Sequence, residues 1–113
     1  MSGNNKPGDQ TTNWEKVCIT DDVPDESGHV VTVDGEEIAI FEIDGEYYAI
    51  NNVCPHQGGP LGEGVCEGTT VYCPWHGYEF DLETGTNVDQ FSDLSTTTYD
   101  VKVEGDDVYV QTV

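Results

Sequence analysis

Between Cys54 and His76 the chain writes one kind of loop twice. The first copy is Cys54-Pro55-His56-Gln57-Gly58-Gly59-Pro60-Leu61, and sixteen residues separate His56 from the second, Cys73-Pro74-Trp75-His76-Gly77. Each copy offers one thiolate and one imidazole a few residues apart, both of them ligands for transition metals. Folded against each other, the two halves give a set of two Cys and two His. Any fold for this chain must therefore bring two distant loops together and hold them still. Proline after each cysteine stiffens the loop and lowers the entropy lost on ordering it. Glycine lets backbone N–H groups approach bound sulfur in conformations other residues avoid.

The order of the ligands narrows the metal. A zinc finger pairs two cysteines and then two histidines, whereas here each loop contributes one of each. A mononuclear zinc site accepts that order, but two bridged irons use it better. The C-x-H and C-x₂-H spacing, the prolines, the glycines and the following Tyr78-Glu79-Phe80-Asp81-Leu82-Glu83-Thr84-Gly85 resemble the Rieske family over about residues 14–113. That resemblance implies a [2Fe-2S] cluster with Cys54 and Cys73 on one iron and His56 and His76 on the other. It also implies an all-β Rieske fold of stacked antiparallel β-sheets, with a two-loop cluster-binding subdomain over about residues 51–82.

Strand and turn signals agree with an all-β chain. Residues 14–20, 30–33, 37–43, 47–50, 69–72, 78–82, 98–103 and 107–111 are rich in β-branched and aromatic residues, and Asp34-Gly35 and Asp44-Gly45 are hairpin turns. Along 37–43, Ile38 and Ile40 fall on one face and Ala39, Phe41 and Ile43 on the other. Residues 87–95 are less regular.

At 113 residues the chain has room for one domain. The expected division is a polar arm over 1–12 and the metal domain over 13–113. The start has no apolar signal core and no apolar run is long enough to span a bilayer, so the expected location is the cytoplasm. Twenty-three acidic residues face three lysines and no arginine, a formal charge of −20. Nucleic acid and anionic membranes are repelled by such a surface. Molar salt removes the self-repulsion, and the composition resembles that of proteins from salt-accumulating halophiles. Cys18 and Cys66 read as buried or free thiols, with a disulfide between them disfavoured in a reducing compartment. His29 reads as a polar loop residue.

Departures from the family pattern point to its low-potential branch. High-potential relatives carry a disulfide between the two loops; the matching positions here are Gly59 and Trp75. They also place serine and tyrosine hydroxyls near the sulfurs, where this chain has Tyr78 and Phe80. Fewer hydrogen bonds to sulfur disfavour the added electron. A lid proline is missing from the last loop, where Phe91 is a candidate substitute. Trp75 is a candidate docking or packing residue, and Pro60 and Leu61 are candidates for an apolar rim. With three histidines, two of them committed, the chain cannot also hold the mononuclear iron of an oxygenase. Nor has it a nucleotide-binding glycine motif. The expectation is a monomeric one-electron carrier with no catalytic residues, taking electrons from a reductase and passing them to a terminal oxygenase. The alternatives are the small subunit of an assimilatory nitrite reductase and a structural zinc module.

Overall fold

The computed structural model describes residues 14–25, 27–55, 58–75, 77–88 and 94–111. Within them the strands are β1 (Trp14–Ile19), β2 (His29–Val33), β3 (Glu36–Ile43), β4 (Glu46–Asn51), β5 (Cys66–Glu67), β6 (Thr70–Tyr72), β7 (Glu79–Asp81), β8 (Thr98–Glu104) and β9 (Asp107–Gln111). They form a six-stranded sheet in the order β1-β9-β8-β4-β3-β2 and a small sheet β5-β6-β7. Every neighbouring pair is antiparallel. The large sheet curls into a near-barrel, and the architecture is the all-β one expected.

Two Asp-Gly turns set the registers of β2, β3 and β4. Asp34 and Gly35 take φ of 51° and 83°, and Asp44 and Gly45 take 53° and 86°. Two successive left-handed residues make the tight turn whose twist suits a hairpin. They align Val33 with Glu36 and Ile43 with Glu46.

The central wall of the molecule is the β3–β4 pair, and it is apolar on both sides. Ile38, Ile40 and Ala49 point into the barrel core with Val33, Val108, Val110 and Cys18. Ala39, Phe41 and Ile50 point the other way, into a second core with Leu61, Val71, Phe80, Leu82, Cys54, Cys66 and Cys73. The alternation expected along β3 is therefore present, with neither of its faces left to solvent. The small sheet has no barrel of its own and is held against the wall by this second core.

Several boundaries differ from expectation. β1 stops at Ile19 because Thr20–Asp22 wind into a 3₁₀ turn, steadied by Ile19 N–H donating to Asp22 Oδ2 at 3.2 Å. β5 was not expected; it is two residues long and exists through its ladder with β6. His29 opens β2 and is half-buried rather than out in a polar loop. The arm over 1–12 and Phe91 lie outside the described residues.

Phe41 is wholly buried where the wall meets the second core. Phe41→Ala is expected to lower unfolding free energy by about 3–5 kcal/mol, read from chemical denaturation, and to loosen the small sheet with it.

Candidate metal centre

β4 delivers the chain to the first loop through Asn51, Asn52 and Val53. Asn52 is buried, at 4% exposure, and all of its polar groups are used. Its side-chain amide donates to Glu37 Oε1 at 3.0 Å, and its side-chain oxygen accepts from Gly62 N–H at 2.6 Å. Its backbone N–H donates to Glu37 O at 2.8 Å and its carbonyl accepts from Leu61 N–H at 2.7 Å. One residue thus ties the start and the return of the first loop to β3. Sequence reading missed this role, because it exists only through partners elsewhere in the chain, Glu37 and Gly62.

The loop itself closes on Cys54. Gly58 N–H donates to Cys54 O at 2.8 Å, and Cys54 N–H donates to Gly59 O at 2.9 Å. The second loop repeats the pattern after β6: Gly77 N–H donates to Cys73 O at 2.9 Å, and Cys73 N–H to Tyr78 O at 2.7 Å. Both closures need a left-handed residue four places after the cysteine, and glycine supplies it, with φ of 78° at Gly58 and 73° at Gly77. The two loops are the same backbone device used twice.

They also touch. A Cβ built on Gly59 would stand 3.0 Å from the Trp75 ring and 3.1 Å from Cys73 Sγ. The bare glycine therefore lets the first loop lie against the second beside its sulfur. Cys54 and Cys73 are 1% and 2% exposed, in one apolar core with Phe80. Of the four expected ligands, then, the two thiols are brought into a common dry site. His56 and His76 lie outside the described residues. Buried soft sulfurs on stiff, close-packed loops suit an iron–sulfur cluster, and Phe80 brings no hydroxyl to them.

Other expectations resolve variously. Leu61 is wholly buried in the same apolar core as Cys54 and Cys73, and its N–H bond to Asn52 O turns it inward. Trp75 packs on Gly59 while leaving 57% of its surface exposed. Cys18 and Cys66 are buried thiols with no disulfide between them, and they belong to different cores. Burial, and secondarily the charge of Asp22, push the Cys18 thiol up.

A small all-β scaffold presenting twin cysteine loops defines an iron–sulfur protein. The chain belongs to the Rieske-like [2Fe-2S] domain family, whose model matches residues 13–111. It is 37% identical over 94 residues to the ferredoxin component of the naphthalene 1,2-dioxygenase/salicylate 5-hydroxylase systems of a Ralstonia species, covering 83% of this chain and 90% of that one. Among solved structures it resembles the ferredoxin of carbazole 1,9a-dioxygenase from Nocardioides aromaticivorans IC177, at 29% identity and a TM-score of 0.81, covering 87% and 96% of the two chains. It also resembles a nitrite reductase small subunit from Mycobacterium tuberculosis, at 25% identity and a TM-score of 0.82, covering 90% and 96%. The cofactor is a Rieske-type [2Fe-2S] cluster, and the protein is an electron carrier rather than a catalyst. The zinc reading of the Cys/His loops gives way to the cluster.

Gly59→Val fills the contact between the loops. The barrel should fold with unchanged far-UV circular dichroism, while iron and acid-labile sulfide per chain fall, with affinity for the cluster down by about tenfold or more.

Proposed function

We propose that this chain is the ferredoxin of an aromatic ring-hydroxylating dioxygenase system, passing single electrons from a reductase to the terminal oxygenase. The observation that carries the reading is the pair of matched cysteine loops closed on one buried core, in a chain similar over most of its length to the ferredoxin component from Ralstonia. When bound, the cluster supplies reversible one-electron chemistry. The protein's part is to hold it dry on the sulfur side and to present one edge to a partner. Cys54 and Cys73 would hold one iron of the cluster, and His56 and His76 would hold the other.

Trp75 and Val53, at 57% and 47% exposure on the two loops, give the partner an apolar contact close to the cysteines. The acidic surplus steers a basic docking face toward it. The domain runs over 13–113 behind an arm at 1–12, works as a monomer, and functions in the cytoplasm, where its thiols stay reduced. Among the described residues no helix is long and apolar enough to cross a membrane. A second reading, the small subunit of a nitrite reductase, is favoured by the fold likeness to the M. tuberculosis protein. Stable co-purification with a large reductase subunit would select it over the free carrier.

Dithionite-reduced protein should give a rhombic EPR signal with a mean g-value below that of all-cysteine [2Fe–2S] ferredoxins. Its midpoint potential should fall near the low end of the Rieske range, about −150 mV, because apolar Phe80 lies where a hydroxyl donor would raise it. The reduced carrier should support turnover of a ring-hydroxylating oxygenase, and His76→Cys should abolish the rhombic signal. An unchanged signal in that variant would remove His76 from the ligand set.

The charge of −20 supports a salt-rich working environment. Screening lengths shrink from about 10 Å at 0.1 M to about 3 Å at 1 M salt, so repulsion between like charges fades. Melting temperature should therefore rise between about 0.1 M and 2 M KCl. A flat or falling curve would mean that the acidic surface serves partner docking alone.

A further inference from the structure

Away from the cluster loops, Cys18, Asp22 and His29 stand together. One ligand atom from each (the thiol sulfur, a carboxylate oxygen and a ring nitrogen) lies within 4.8 Å of the other two. The three come from three different elements: β1, the 3₁₀ turn after it, and β2. Their place in the fold gives the cluster meaning. β1 and β2 are the two edges of the six-stranded sheet, and the curl of the sheet brings these edges toward each other without a ladder between them. Val17 of β1 and Val31 of β2 pack on the same barrel core. This is the seam of the near-barrel, closed by side chains alone.

The donors are also prepared. Cys18 is buried, at 8% exposure, and His29 is half-buried at the first position of β2. Asp22 is oriented through one oxygen, Oδ2, which accepts the Ile19 N–H at 3.2 Å. Its second oxygen remains to serve as a ligand, the arrangement by which an outer hydrogen bond aims a metal-binding group.

We propose that Cys18, Asp22 and His29 form a second metal site, for Zn²⁺, that staples β1 to β2 across the barrel seam. Mixed sulfur, nitrogen and oxygen donors suit zinc, which accepts all three and often takes three protein ligands with water as the fourth. At bond lengths of 2.0–2.3 Å, tetrahedral ligand atoms stand roughly 3.3–3.8 Å apart, so side-chain rotations of about 1 Å close the site. Zinc replaces the Cys18 proton, which leaves to solvent; the thiolate and carboxylate then balance its two positive charges. The site uses none of the cluster ligands.

The test uses tag-free holoprotein with its iron and sulfide intact, in about 1 M KCl to suppress adsorption of cations on the surface carboxylates. Zinc chloride is added by equilibrium dialysis and metal content is measured. The expected result is one tightly held zinc per chain at unchanged iron content. The melting temperature should rise by roughly 10 °C at a hundredfold excess over Kd. Cys18→Ser and His29→Gln should each abolish the uptake and the thermal shift while the cluster's visible spectrum stays the same. His29→Gln, at a half-exposed position, keeps the test valid should Cys18→Ser fail to fold. Uptake that does not saturate, that survives His29→Gln, or that proceeds only as iron is lost overturns the proposal.

Discussion

The interaction on which the rest depends is the backbone closure that begins on Cys54 and again on Cys73. A sulfur that binds iron must be kept from water, yet its backbone must leave the sheet and turn back within a few residues. Gly58 and Gly77, donating to the carbonyls of Cys54 and Cys73, make that reversal. The turn satisfies the cysteine's own N–H and carbonyl, so the thiol can be buried without stranding its backbone. Once both sulfurs are inside, the space between them and β3 must be apolar, and Phe41, Leu61, Phe80 and Leu82 fill it. The double-sided wall follows from this requirement. A strand with one wet face could not support the barrel on one side and the dry cluster site on the other.

Electrostatics constrain the outside as firmly as packing constrains the inside. Of the three lysines, Lys16 pairs with Asp107 at 3.1 Å and Lys102 with Glu104 at 3.2 Å. Lys102 also lies over the Trp14 ring, 4.7 Å from its centroid. Exposed pairs of this kind contribute about 0–1 kcal/mol each, so they do little against a surplus of twenty negative charges. Lys16 thereby links β1 to β9, and Lys102 of β8 reaches the Tyr109 ring of β9, 5.5 Å from its centroid. Among the described residues the positive charge is thus spent within the barrel sheet, and the chain as a whole keeps its formal charge of −20. For the carrier proposed above, such a charge favours encounter with basic partners at low salt, an advantage that screening removes at high salt.

Much of this was legible in the chain because the decisive signals are local. Cys, Pro and Gly at fixed offsets specify the loops, and Asp34-Gly35 and Asp44-Gly45 specify two hairpins with their registers. Alternation along β3 correctly separated Ile38 and Ile40 from Ala39 and Phe41. What was missed depends on partners distant in sequence. β5 has too few residues to carry a pattern and is defined by pairing with β6. The depth at which Leu61 sits follows from the bond of its N–H to Asn52, which draws it into the core beside Cys54 and Cys73.

Asn52 and the seam make the same point for polar groups. Nothing about an Asn-Asn pair ahead of a cysteine announces that one amide will bridge Glu37 and Gly62. Likewise Cys18 and His29 sit in unremarkable surroundings along the chain, one in a strand and one after a polar loop. Only the curl of a six-stranded sheet makes its first and last edges neighbours, and it does so because Val17, Val31 and the barrel core must be covered. The burial of apolar side chains is what brings the thiol, the carboxylate and the imidazole within reach of one ion. Chemistry that no motif encodes can arise in this way, where a fold built for one purpose closes on itself.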